Sequence, residues 1–382
     1  MKTLESTPLS TLLPLLFLLP SFTLSQSLTD DSKCGCYLSK SSNDTLFFSQ
    51  HRFFDFRSLS QYAGVPPAIQ DSATSSSAEV TSPYFKSSPF TDFWMPGSWN
   101  NSNGVREDAT ITMINSPNNV YIEADSSSSS DEKNKPTFLT LRTQRMQTFQ
   151  TSAEIESTSS KFQYLSMRML ARTLGSPGAI TAMFTYRDSA QLSKVQESDL
   201  EIRTSDPQNV IHYTNQPSYT DEGEVLPQAT KNATMPGGLK WTDWAVHRLD
   251  WTPKYTAWFV NDVPVAQTEF QVPRDVSNII LNAWSDGGKW TGNMSLLDAA
   301  YLQVQWFEIV YNSTEEIKGG KAKAKSSTDG QGGCQSVCSV DGTSQVGKPV
   351  MLWDNGVGRT NGGVSRWLVM SVAAGLGLFM FI

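Results

Sequence analysis

The segment Glu197-Ser198-Asp199-Leu200-Glu201-Ile202 sets three carboxylates at alternate positions. On an extended strand successive side chains point to opposite faces, so Glu197, Asp199 and Glu201 share one surface and Ser198, Leu200 and Ile202 the other. Acids this close raise one another's pKa, which lets one carboxyl keep its proton beside an ionised neighbour. One group then donates a proton while another attacks, the chemistry of glycosidic-bond cleavage through a covalent intermediate. Out of context, the same pattern more often marks the solvated face of an edge strand. Cα atoms four residues apart on a strand are about 13 Å apart, so twist and inward-leaning rotamers must bring the outer carboxyls together.

Segments able to hold such a face recur along the chain. Residues 164–169, 180–186, 210–214, 255–260 and 302–306 alternate in polarity, and Gly, Pro, Asn and Asp clusters separate them. Helical periodicity is scarce, and the pattern predicts an all-β, antiparallel sandwich. Serine-rich stretches at 72–77 and 126–130 read as exposed loops. With 382 residues, 38% hydrophobic and 18% charged, the chain can bury one large core. A net charge of -7 argues against nucleic acid as a partner, because that partner demands concentrated Lys and Arg. Eleven Trp, eleven Tyr and nineteen Phe suit a ring-stacking cleft or a thick core equally well.

Both ends read as processing signals. Lys2, an apolar run at 12–19 and small residues up to Ser25 have the order of a secretory signal peptide over 1–25. The apolar tail at 366–382 is short and lacks a basic flank after it, which fits a GPI-attachment signal better than a permanent span. A short C-terminal membrane helix is the competing reading. Attachment falls between Asn355 and Gly363, and the membrane partner is reached through the lipid. Between these ends the expected organisation is a folded domain over 26–316 and a Gly/Ser/Lys-rich linker with a cysteine pair over 317–365. Sequons at Asn43, Asn100, Asn232, Asn293 and Asn312 suit a glycosylating route. Export also favours disulfides among Cys34, Cys36, Cys334 and Cys338. Three connectivities exist, and strain between neighbours as close as Cys34 and Cys36 favours cross-links joining the two ends of the domain.

Several segments carry a family likeness. The Glu-X-Asp-X-Glu run resembles the signature of glycoside hydrolase family sixteen. Upstream, Gly178-Ala-Ile-Thr-Ala-Met-Phe184 is similar to the strand preceding that family's catalytic strand. Downstream, Trp244-Ala-Val-His-Arg-Leu-Asp-Trp-Thr-Pro253, Trp258-Phe-Val-Asn261 and Asn278-Ile-Ile-Leu-Asn-Ala-Trp-Ser-Asp-Gly-Gly-Lys-Trp-Thr-Gly292 resemble its adjoining strands and cleft segment. The likeness covers residues 138–311 and is strongest to the fungal cell-surface branch.

The resemblance implies a concanavalin A-like β-jelly roll with a concave cleft for β-glucan. By position, Glu197 matches the nucleophile, Asp199 the assisting acid and Glu201 the general acid/base of a retaining hydrolase. A sugar acceptor, chitin included, in place of water would make it a transglycosylase. A non-catalytic glycan-binding wall protein on the same fold is the alternative. His212-Tyr-Thr-Asn-Gln216 resembles the neighbouring strand, whose Asn commonly reaches the sugar, which nominates Asn215. Departures from the pattern are Ser198, where an aliphatic residue is usual and looser packing is expected, and Arg203, which follows on the carboxylate face and either holds a carboxylate ionised or contacts substrate.

Sugar rings present apolar C–H faces, so Trp platforms bordered by polar groups are the expected lining. Trp284 and Trp290, with Asp286 nearby, are the candidates, core packing being their competing role. Trp94 and Trp99 flank a Pro-Gly turn and suit a cleft wall or ordinary loop anchors alike, whereas Trp244 and Trp251 read as core. His51, His212 and His247 lack metal-ligand spacing, and no cofactor is implied.

Overall fold

The computed structural model describes residues 27–102, 106–128, 135–315 and 334–354. The expected export signal and hydrophobic tail lie outside these residues, as does most of the expected linker. In chain order the strands are β1 (Cys36–Ser41), β2 (Asp44–Phe48), β3 (Gln50–Asp55), β4 (Trp94–Pro96), β5 (Met113–Asn115), β6 (Val120–Ala124) and β7 (Thr137–Arg145). Next come β8 (Gln150–Ser157), β9 (Phe162–Gly175), β10 (Ile180–Arg187), β11 (Gln196–Arg203), β12 (Val210–Gln216), β13 (Thr230–Thr234) and β14 (Ala245–Trp251). The last are β15 (Thr256–Val260), β16 (Val263–Thr268), β17 (Asn278–Trp284), β18 (Ala299–Ser313), β19 (Ser336–Ser339) and β20 (Val350–Asp354).

The strands form the expected antiparallel sandwich. One layer runs β13-β12-β11-β10-β17-β8, and the other runs β7-β18-β9-β14-β15-β16. Strand β8 pairs with both β17 and β7, so the sheet folds over on itself at that corner. Alternation drives the packing: Leu200 and Ile202 on β11, Ile211 and Tyr213 on β12 and Leu281 on β17 turn inward. They meet Leu249, Trp251, Trp258 and Phe307 of the opposite layer in one apolar core. The other face of the first layer is thereby left as the wall of a groove.

The chain ends behave differently from the expected linker. Residues 334–354 carry β19 and β20, and these join β1 and β2 in a four-stranded sheet of their own. The boundary expected at 316 is therefore corrected: a second terminal segment is part of the folded body. Disulfides Cys34–Cys338 and Cys36–Cys334 join the two ends as favoured from sequence, which left the choice between the two cross-end pairings open. The small sheet lies against the outer face of β9, β14 and β18 through buried charges. Arg168 donates to Asp341 at 2.9 Å, Arg248 grips Asp250 at 2.8 Å and the Lys40 carbonyl, and His51 bridges Asp31 at 2.8 Å and Glu308 at 3.2 Å.

The first serine-rich patch is largely exposed as expected, at residues 72–74 and 77, but it is helical rather than a loop. Asp71 caps a short helix, α1 (Ser72–Ser75), and Ser75 is fully buried with its carbonyl accepting from Ser116 Oγ.

Candidate active site

Register across the first layer sets out the groove floor. Glu201 stands beside Ala182 on β10, Ala182 beside Asn282 on β17, and Asn282 beside Glu154 on β8. The next row reads Asp199, Phe184, Ile280, Glu156, and the third begins Glu197, Tyr186, Asn278. On the opposite side Glu201 adjoins His212 and Glu197 adjoins Gln216. The three acids of β11 thus share one floor, as strand alternation predicts. Glu197 and Glu201 are half-buried, while Asp199 is only 3% exposed.

Burial pushes all three carboxyls upward, Glu197 to about 8 and Glu201 to about 7, and repulsion from the neighbouring acids adds to it at Glu197 and Asp199. Asp199 is raised well above its ordinary value because it is buried between the other two charges, and it shares a hydrogen bond with Glu197. Gln216 also bonds to Asp199 and favours its charged form. Glu201 differs: Trp290 Nε1 donates to it at 3.2 Å, and the charges of Arg203 and Arg106 pull its pKa down against burial.

Trp290 is itself held in place. Arg203 lies 4.6 Å over its ring and donates Nε to its carbonyl at 2.9 Å, and His212 packs edge-on at 5.1 Å. The groove's other wall is Trp284, with the Arg106 guanidinium 5.6 Å above its ring. Arg106 is bound to Asp286 at 2.9 Å. Asp286 is 2% exposed and also accepts from Gly288 N and Thr291 Oγ1, both at 3.0 Å. Gly287 makes that turn with φ 71°, and a Cβ there would come within 2.0 Å of Thr110 Oγ1. Two basins meet at Glu197. One, about 630 Å³, runs over Phe184, Ile280 and Trp284 to Glu154, and the other, about 1410 Å³, runs past Trp290, Gln216 and Tyr219.

The groove therefore gathers Glu197, Asp199, Glu201, Arg203, Trp284 and Trp290, with Asp286 behind them. Asn215 is corrected. It lies opposite Ser198 and so on the core side of β12, wholly buried, donating Nδ2 to the Phe270 carbonyl at 2.9 Å. The cleft-facing neighbours are His212, Thr214 and Gln216, because alternation puts odd and even positions on opposite faces. Ser198 does not loosen the packing: it bonds to Asn215 and to Thr256 Oγ1 at 3.1 Å. Trp94 is core at 1% exposure, while Trp99, 43% exposed, reaches the groove and donates Nε1 to Glu154 at 2.8 Å. Trp251 packs the core as expected, but Trp244 is half-buried under Arg172, 4.5 Å from its ring. Sequence reasoning passed over Glu154, Glu156 and Arg106. The alternation Ala153-Glu154-Ile155-Glu156 was the available signal for the first two.

Sequon asparagines Asn43, Asn100, Asn232 and Asn293 are exposed. Asn312 is half-buried, and its side-chain amide binds the Ser49 amide and the Phe47 carbonyl. His51, His212 and His247 lie apart, and no metal-binding cluster occurs among the described residues.

The model of the glycosyl hydrolases family 16 matches residues 107–306, which include the whole carboxylate strand. A β-glucanase of Paenibacillus polymyxa is 23% identical over 137 residues, 35% of this chain and 54% of that protein; the chain thus spans about half the length of this curated relative. Among solved structures, a prokaryotic β-1,3-1,4-glucanase (lichenase) derived from a mouse hindgut metagenome is similar, with 16% identity, a TM-score of 0.45, and coverage of 69% of this chain and 99% of that one. A Bacillus licheniformis β-glucanase is similar too, with 18% identity, a TM-score of 0.45, and coverage of 58% and 93%. With the matched span taking in over half of the sequence and the groove acids inside it, the chain belongs to glycosyl hydrolase family 16.

Proposed function

We propose that the protein is a retaining glycosidase of cell-wall β-glucan, β-1,3 or mixed-linkage, working through a glycosyl-enzyme intermediate. The observation that carries this reading is the trio on one groove floor, with Asp199 bonded to Glu197 and Trp290 bonded to Glu201. Glu197 attacks the anomeric carbon as Glu201 gives its proton to the leaving oxygen. The same Glu201 then takes a proton from the acceptor that breaks the covalent bond. Asp199 holds its proton against Glu197, which keeps the nucleophile ionised until it attacks.

One feature favours transfer to a sugar over hydrolysis. The larger basin beyond Glu197 is lined by Tyr219, 43% exposed, and by Trp290, surfaces on which an acceptor ring can lie. The end signals support a wall-facing, lipid-anchored location of the fungal cell-surface kind, with chitin among the acceptors.

Reducing-end release from β-1,3- and mixed-linkage glucans tests the reading. Glu197→Gln and Glu201→Gln should each lower turnover by roughly a thousandfold or more, since each removes a group that acts in the transition state. A fluorescent oligosaccharide acceptor separates transfer from hydrolysis. Equal behaviour of wild type and both variants, with no release and no label transfer, would make the protein a glycan-binding module instead.

A further inference from the structure

Three exposed sequon asparagines stand around the groove. Asn100 follows Trp99, which lines the smaller basin, and Asn232 sits on edge strand β13 opposite the groove-facing His212. Asn293 lines the larger basin itself, close along the chain to Trp290, whose indole donates to Glu201. Its mount is firm. Gly292 N donates to the Gly288 carbonyl at 2.8 Å, Thr291 Oγ1 donates to Asp286 at 3.0 Å, and Met294 is 6% exposed. Asn293 Oδ1 accepts from Thr110 Oγ1 at 3.0 Å, whereas its Nδ2 makes no hydrogen bond among the described residues. Ser295, the third position of the sequon, is exposed. Asn312 is the opposite case: it is half-buried, and its Nδ2 already donates to the Phe47 carbonyl at 3.2 Å.

The sequon at Asn293 is thus open at the atom that modification uses. We infer that Asn293 carries an N-linked oligosaccharide that closes the outer end of the larger basin. This side of the groove then admits the end of a glucan chain or a short acceptor and turns away the middle of a long chain. The bond forms between Nδ2 and the anomeric carbon of a lipid diphosphate-linked oligosaccharide. The carbon–oxygen bond to the diphosphate breaks, the diphosphate leaves with the electron pair, and the amide gives up one proton. The attached group is bulky and hydrated, and the rigid turn keeps its first sugar at the basin rim instead of letting it swing clear. The inference rests on export and on the glucan-binding reading of the groove, and it adds to that reading the kind of chain that fits beyond Glu197.

The full chain secreted from a eukaryotic host tests it. Enzymatic release of the oligosaccharide in heavy-oxygen water should mark Asn293 by labelled deamidation in most copies of its peptide, read by mass spectrometry. Ser295→Ala abolishes the sequon and leaves the contact between Asn293 and Thr110 in place. It should bind a long soluble β-1,3-glucan roughly three- to tenfold more tightly than the parent does, and a β-1,3-glucose trimer equally well. Ser295→Thr, which keeps the sequon, should leave both affinities unchanged. Affinities are compared on the Glu197→Gln background, which stops turnover, and Asn293→Gln replaces Ser295→Ala should that variant fail to fold. An unmodified Asn293 overturns the inference, as does equal affinity for the long glucan with and without the sequon, or a gain that the trimer shares. No binding of either glucan in any form removes the glucan reading and the inference together. A bare Asn293 on a protein that binds glucan removes the inference only.

Discussion

Ser198 Oγ donates to Asn215 Oδ1 at 2.5 Å directly behind the carboxylate face, and the two residues are register partners on β11 and β12. The contact continues to Thr256 on the opposite layer and, through Asn215 Nδ2, to the Phe270 carbonyl. This buried polar chain pins the carboxylate strand from its core side, where an aliphatic residue would only pack. Asn215→Ala leaves the Ser198 hydroxyl and the Phe270 carbonyl short of a partner and should cost about 1–3 kcal/mol. Urea unfolding of both single variants and the Ser198→Ala/Asn215→Ala double variant checks it. The double variant should be less destabilised than the sum of the singles.

Trp290 donates to Glu201, the acid/base of the proposed mechanism. Its indole N–H stabilises the ionised form of Glu201 and so opposes the burial that still leaves this pKa raised, at about 7. Trp290→Phe keeps the ring and removes the donor, so the pKa of Glu201 should rise. The alkaline limb of kcat/KM, where the acid loses its proton, should move to higher pH by roughly one pH unit. A pH profile on a soluble glucan reads this, and an unmoved limb would separate Trp290 from Glu201.

His51 ties the terminal sheet to β18. Burial alone would lower its pKa, yet hydrogen bonds to Asp31 and Glu308 override that and raise it to about 9. A folded-state pKa above the unfolded value gives stability that is complete below pH 6.5 and is lost as pH climbs through 9. From the shift, that contribution is about 3 kcal/mol. The stability gap between wild type and His51→Phe should therefore be widest near pH 6 and narrow steadily towards pH 9, as measured by denaturant titration. A gap independent of pH would mean that His51 is not charged in the fold.

Reduction should loosen the small sheet before the large one. Cys34–Cys338 and Cys36–Cys334 each close a loop of about 300 residues, for sequence separations of 304 and 298. Losing such a link typically costs about 2–5 kcal/mol. Cys34→Ser with Cys338→Ser should give earlier proteolytic cleavage near the termini while protection of the β11 strand persists, read by mass spectrometry of limited digests. Simultaneous loss of both regions would make the terminal sheet an integral part of the core.

Alternation of residue types in the sequence alone determined that this is an all-β sandwich and that Glu197, Asp199 and Glu201 share a face, because side-chain direction on a strand has a period of two. The segment of 178–292 also carried the family and put Trp284 and Trp290 beside the acids. What the sequence could not decide was phase between strands. Asn215 falls on the core side because the connection at 204–209 sets the register of β12 on β11, and a shift of one residue would have turned it into the groove. Trp99 meeting Glu154, Arg106 meeting Asp286 and residues 334–354 closing on β1 all join positions far apart along the chain. Those meetings depend on where the sheet folds over at β8, and local spacing holds no record of that closure.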